Sequence, residues 1–170
     1  MDLRSYIRDI PDFPRPGILF KDITPLLAEP RAFQFALDRM VDQYRAEPPD
    51  VIAAAEARGF LFAAPLALRL SKPLVPLRKP GKLPHKTHSL RYELEYGSAE
   101  LQVHIDAVKP GARVLLVDDL LATGGTMEAS CQLIRKAGGD VVGCAFLVEL
   151  TFLGGREKLR PYEVFSLIAY

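Results

Sequence analysis

The sequence predicts an α/β fold, a central and mainly parallel sheet flanked by helices, and three observations carry that prediction. Short runs dense in Val, Ile, Leu and Ala at residues 51–55, 74–77, 114–117 and 141–150 are bounded by Gly, Pro or charged residues, as strands buried on both faces are. Between them lie helical patterns: Phe33, Leu37, Met40, Val41 and Tyr44, then the Ala- and Leu-rich stretch 60–70, then Met127, Cys131, Ile134 and Ala137, at three- and four-residue spacing. Strands therefore alternate with helices, which implies crossover connections and parallel pairing. Finally, the strand at 114–117 runs directly into two acids and a glycine-rich turn, and ligands of open α/β sheets bind at such strand ends.

Size and charge narrow the class. A chain of 170 residues, 49% hydrophobic and 25% charged, suits one domain spanning residues 1–170 with a sizeable core. A net charge of +1 gives no global field that would recruit nucleic acid or a membrane surface, so neither is expected as a partner. Cys131 and Cys144 have no C-x-x-C spacing and read as buried free thiols. The opening MDLRSYIRDIPDF has no apolar signal core, and no apolar run approaches a membrane span, so a cytoplasmic location is expected.

Taken in order, Leu3, Ile7 and Ile10 predict a short helical face ending before Pro11. Residues 13–22 hold too much Pro and Gly for a regular element, yet carry Phe13, Ile18, Leu19 and Phe20. A loop that apolar covers something, either the core or a ligand. Residues 22–25 read as a turn, and a core-facing helix runs from Pro30 to Tyr44, stopped by Pro48-Pro49. The strand at 51–55 delivers Glu56-Ala57-Arg58-Gly59 to a helix start. Arg58 there is either a solvated side chain or a planar fork for a phosphate. After the strand at 74–77 comes a basic loop, residues 78–88, with Arg78, Lys79, Lys82, Lys86, His85 and His88 and little to bury. It reads as a solvated loop or a mobile cationic lid; His85-x-x-His88 lacks a third metal ligand. Residues 90–96 and 99–105 alternate as a hairpin about Gly97-Ser98, and a last strand occupies 165–170.

The turn after the central strand carries the chemistry. Ala122-Thr123-Gly124-Gly125-Thr126 leads into a helix, so backbone N–H groups, the helix dipole and two hydroxyls converge on one point, without a Cβ in the way at the glycines. That suits a phosphate monoester. Asp118 and Asp119 just ahead would repel a bare polyphosphate but suit vicinal hydroxyls, directly or through a metal ion. A ribose 5-phosphate matches that order of groups. Neither G-x-x-x-x-G-K-[ST] nor G-x-G-x-x-G is present.

The stretch VLLVDDLLATGGT, residues 114–126, resembles the phosphoribosyl pyrophosphate (PRPP) signature of the type I phosphoribosyltransferases, and its double leucine is most similar to adenine phosphoribosyltransferases. The similarity covers nearly the whole chain and implies a Rossmann-like core at residues 31–170, a hood at 1–30 and a flexible loop at about 79–98. It further implies Mg²⁺-dependent transfer of phosphoribosyl from PRPP to adenine, giving AMP and pyrophosphate in purine salvage, by a homodimer. On this resemblance Phe20 stacks on adenine, the backbone of Leu19 and Lys21 reads its polar edge, and Leu120 lies on its other face. Residues 122–126 hold the 5′-phosphate, while Asp118 and Asp119 serve the ribose hydroxyls, a developing ribosyl cation and, through water, Mg²⁺. Arg58, Lys79, Lys82, Tyr96 and the Ala57 backbone face pyrophosphate. Glu95 manages a proton near N7 of adenine. Ala57 stands where the family normally has serine, which removes one hydroxyl. Two alternatives are a 6-oxopurine phosphoribosyltransferase and a non-catalytic PRPP-sensing regulator; the latter would need a basic face or a DNA-binding segment, and the sequence has neither.

Overall fold

The computed structural model describes residues 1–94 and 97–170. Its centre is a five-stranded sheet of β3 (Val51–Ala55), β4 (Leu74–Leu77), β7 (Arg113–Leu121), β8 (Asp140–Glu149) and β9 (Val164–Ala169), in the order β4-β3-β7-β8-β9. Every pairing in it is parallel. Helices α3 (Gly59–Leu70) and α4 (Gly125–Lys136) make the crossovers from β3 to β4 and from β7 to β8, while α2 (Pro30–Tyr44) precedes β3.

Period-two alternation divides the core into two layers. Leu115 and Val117 of β7 face one cluster with Leu37 and Met40 of α2 and Phe62 and Leu66 of α3. Val114 and Leu116 face the other, with Met127, Cys131 and Ile134 of α4. Strand β3 is alanine-rich and wholly buried, and small side chains there let helices approach from both sides. Phe62 and Phe146 are fully buried, and burying such a side chain contributes about 1.5–3 kcal/mol. Cys131 and Cys144 are free and buried, as expected. Among the described residues no helix is long and apolar enough to cross a membrane.

Strand order creates the site. The chain steps outward from β3 to β4 on one side and from β7 through β8 to β9 on the other, so the topological switch point lies between β3 and β7. Pairing of β7 with β3 stops at Val117, whereas its pairing with β8 continues to Leu121. Residues 118–121 thus overhang β3 and leave one flank open. The strand is nine residues long, not four, and both acids and Leu120 lie within it.

The N-terminal region departs most from expectation. A 3₁₀ turn occupies Leu3–Tyr6, and β1 (Arg8–Pro11) then pairs antiparallel with β2 (Leu19–Asp22). Ile7 and Ile10 are therefore not helical, and the Pro/Gly-rich segment ends in a strand. Residues expected in a turn instead begin a short helix, α1 (Thr24–Ala28), where Asp22 accepts hydrogen bonds from the Thr24 N–H and hydroxyl at 2.9 and 2.8 Å. The hairpin pairs β5 (Thr87–Glu93) with β6 (Ser98–His104) and starts earlier than its alternation indicated, so His88 lies in a strand and the basic loop is shorter. Arg78 exchanges both backbone hydrogen bonds with Gln102, which ties the hairpin to the end of β4.

Candidate active site

At the switch point lies a cavity of about 430 Å³ lined by Ala57, Arg58, Asp118, Asp119, Leu120 and the whole turn from Ala122 to Thr126. Two sequence-distant segments supply these groups: the loop after β3, and the end of β7 with the turn that follows it.

The turn is held by close backbone approach. Gly124 adopts φ +85°, and a Cβ on it would lie 2.6 Å from the Gly155 carbonyl oxygen. A Cβ on Gly155 would lie 2.2 Å from the Ala122 carbonyl oxygen. Only glycine fits either position. Gly155 opens α5 (Gly155–Lys158), so this short C-terminal helix buttresses the phosphate turn. Its Arg156 grips Glu149 through Nε at 3.0 Å and Nη2 at 2.5 Å, and Ser166 Oγ donates to the same carboxylate at 2.6 Å. These hydrogen bonds, Arg156 first, hold Glu149 below the usual carboxylate range. No side chain caps the start of α4, so its first-turn N–H groups remain available to an anion in the cavity they line.

The two acids differ in environment. Asp119 is buried and its Oδ2 accepts from Arg58 Nε at 2.6 Å, while Asp118 Oδ1 accepts from the Asp119 N–H at 2.8 Å. Burial first, and then the neighbouring Asp119 charge, push the Asp118 carboxyl well above its ordinary range. Gly59 makes room for Asp118: a Cβ there would come within 3.0 Å of Asp118 Oδ1 and of the Val117 carbonyl. Asp118 is therefore costly to ionise where it sits, and positive charge arriving beside it would offset that cost.

Arg58 also connects the cavity with the hood. Its guanidinium carbon lies 5.6 Å from the centroid of the Phe20 ring, which packs edge-on against Phe13 at 5.0 Å. Leu19 is exposed. Lys21 points away: its Nζ donates to Asp9 Oδ1 at 2.6 Å and sits 3.9 Å over the Tyr170 ring, and Leu19, Phe20 and Lys21 line neither this cavity nor the one adjoining it.

The cationic loop is divided. Lys79 is exposed and lines a second, adjoining cavity of about 540 Å³, which also includes Glu56 and Tyr92. Lys82 is exposed and lines neither cavity, so the structure does not bring it to the phosphate turn. His85 donates its backbone N–H to His104 Nε2 at 3.2 Å. Glu95 and Tyr96 lie outside the described residues. Among the described residues no group of three or more His, Cys, Asp or Glu side chains could hold a metal ion. Two carboxylates and two hydroxyls beside a phosphate turn do suit a hydrated divalent cation that arrives with phosphates, as Mg²⁺ does.

Three participants escaped the sequence reading. Leu94 and Glu56 line both cavities, and Gly155 supports the turn. An acid beside Arg58 was visible in the sequence, whereas nothing local marked Gly155.

Comparison with known proteins agrees with this geometry. Residues 26–168 match the family described as "Phosphoribosyl transferase domain". The chain is 58% identical to adenine phosphoribosyltransferase of Rhodopirellula baltica over 100% of its own length and 82% of that relative, and 56% identical to that of Pseudothermotoga lettingae over 100% of both. The crystal structure of adenine phosphoribosyltransferase from Thermoanaerobacter pseudethanolicus superposes with a TM-score of 0.96 at 54% identity, covering 99% of this chain and 98% of that one. The Saccharomyces cerevisiae enzyme, complexed with adenine and an imino-altritol bisphosphate, gives 0.91 at 38% identity, covering 98% and 96%. A phosphate turn, acid pair and arginine at the switch point of a parallel sheet, together with near-identity of architecture and more than half of the sequence, place the chain in the phosphoribosyltransferase family, among the adenine phosphoribosyltransferases.

Proposed function

We propose that the protein transfers the phosphoribosyl group of PRPP to adenine, giving AMP and pyrophosphate, with Mg²⁺ on the pyrophosphate and ribose hydroxyls. The observation that carries this reading is one cavity holding the phosphate turn, the Asp118/Asp119 pair and Arg58.

In this reading, residues 122–126 anchor the 5′-phosphate through backbone N–H groups and the hydroxyls of Thr123 and Thr126. The acids accept from the ribose hydroxyls. As the bond from C1 to the pyrophosphate oxygen breaks, the ribosyl ring gains positive charge; this relieves the cost that burial and the neighbouring Asp119 charge impose on the Asp118 anion. That interaction is stronger in the transition state than in the ground state, which is what raises turnover. Arg58, half exposed in its pair with Asp119, is placed to turn its remaining N–H donors toward pyrophosphate, with the Ala57 backbone beside it. Lys79 adds charge from the adjoining cavity, and Lys82 and Tyr96 contribute once the basic loop closes. Bound Mg²⁺ would supply charge neutralisation on pyrophosphate, held by the substrate and, through water, by Asp118 and Asp119. Adenine stacks on Phe20, with Leu120 opposite, the backbone of Leu19 and Lys21 at its polar edge, and Glu95 managing the proton near N7.

The working unit is a homodimer. Leu61, Ala64 and Leu68 are exposed at i, i+3 and i+7 of α3, Leu68 at 80%, and an apolar stripe left bare on a short helix supports burial against a second copy. The reading carries with it a cytoplasmic role in purine salvage.

A radiolabelled base screen with PRPP and Mg²⁺ tests it. Adenine is expected to yield nucleotide while hypoxanthine, guanine and xanthine do not. Turnover of a 6-oxopurine instead would discard the base contacts and leave the PRPP site, and no turnover with any base would favour a PRPP-sensing regulator.

A further inference from the structure

An acid at the mouth of a pyrophosphate site is electrostatically out of place, since it repels the ligand. Glu56 stands immediately before Ala57 and Arg58 and lines both cavities. Its side chain is 14% exposed, and its Oε1 accepts from the Lys79 backbone N–H at 2.7 Å and from Arg78 Nε at 3.2 Å. Those donors, the Lys79 N–H first, hold its carboxyl below the usual range, so it stays anionic at neutral pH. The negative charge is thereby spent on the start of the basic loop.

Arg78 is held at three points: it donates its N–H to the Gln102 carbonyl at 2.9 Å, accepts the Gln102 N–H at 2.7 Å, and donates Nε to Glu56. Lys79 is held at its N–H. Beyond it, Gly81 adopts φ +78° with open space around it, a backbone state that glycine enters freely. Hydrogen bonds thus hold the root of the loop as far as Lys79, and a glycine able to change backbone state follows two residues later.

We infer that Glu56 is a positioning residue: it latches the root of the basic loop to the pyrophosphate loop, so that Lys79 is preorganised beside the site while Lys82 is left to be delivered by loop movement. The inference rests on the reading of Lys79 as a pyrophosphate contact. Fixing a long lysine's backbone before the ligand arrives removes part of the ordering cost of binding. Glutamine at position 56 retains the oxygen acceptor, and alanine removes it.

The test is titration of the full-length protein with magnesium pyrophosphate and, separately, with ribose 5-phosphate, for E56A, E56Q, K79A and the E56A/K79A double variant. E56A is expected to weaken pyrophosphate binding about tenfold and leave ribose 5-phosphate within about twofold, with E56Q recovering most of the loss. K79A alone weakens pyrophosphate, and in the E56A background its further effect falls below about twofold, because a lysine already displaced has little left to lose. If K79A by itself has no effect, the reading of Lys79 fails. If K79A weakens binding but E56A does not, or the two losses multiply in full, the latch is wrong while that reading stands. Equal loss of both ligands in E56A would mark Glu56 as merely structural and overturn the inference.

Discussion

At the scale of single residues, the site stores unfavourable electrostatics in Asp118. Its carboxyl is raised by burial and by Asp119, so the folded state favours the protonated form. This contribution to stability is fully present below the unfolded carboxyl value of about 3.9 and is lost as pH rises through the folded one. Asp118→Asn removes that loss. The variant is expected to melt at a higher temperature than the parent at pH 8, with the gap closing toward pH 4, while kcat falls about 10²-fold; thermal melts across pH with steady-state assays check both. Equal melting curves at all pH values would show that Asp118 is not strained. Arg58 sits on the same balance, since its Nε already serves Asp119 at 2.6 Å. Arg58→Lys keeps the charge but loses the planar fork, and the KM for PRPP is expected to rise about tenfold or more while ribose 5-phosphate binding changes little.

Among elements, the phosphate turn depends on a helix of four residues. Gly155→Ala puts a Cβ 2.2 Å from the Ala122 carbonyl oxygen and 3.0 Å from Leu121 Cδ1. Neither the backbone carbonyl nor the packed leucine can yield cheaply, so the turn must shift, at a cost of about 1–3 kcal/mol. Ribose 5-phosphate binding should weaken at least about tenfold, measured by calorimetry; unchanged affinity would mean that α5 is a bystander. The Glu149–Arg156 pair holds the same buttress from behind. Glu149 is lowered in the folded protein, so its stabilisation is present above the unfolded value of about 4.3 and is lost as pH falls through the folded value. Glu149→Gln is expected to lower the melting temperature at pH 7 by about 2–6 °C, since Arg156 is half exposed and its charge is only partly stranded. That deficit should shrink as pH falls below the unfolded value and vanish once pH has passed the folded one.

For the whole molecule, the exposed stripe of α3 sets the assembly prediction. Leu61→Glu with Leu68→Glu places two like charges on a face argued to be buried against a second copy, and sedimentation should then find monomer. The fold of each chain should persist, because Phe62 and Leu66, on the opposite side of α3, make its core contacts. A parent protein that is monomeric at micromolar concentration would remove the dimer from the reading.

The sequence by itself determined the strand and helix alternation of the core and the position of the phosphate turn. Those are local signals: a buried parallel strand is a continuous apolar run, a crossover helix repeats at 3.6 residues, and a turn needs its glycines in place. It misread the N-terminus, because the β1–β2 pairing comes from a partner strand and not from alternation in either segment. Tertiary structure alone brought Arg58 to Asp119 across 61 residues, Glu56 to Arg78 across 22, and Arg4 to the Ala169 carbonyl across 165. It also divided the two lysines of the basic loop and set Gly155 beneath Gly124. The first of these, Arg58 against Asp119, follows from strand order: when β3 and β7 are neighbours, the loop after β3 meets the end of β7, and no pattern within either segment records that adjacency.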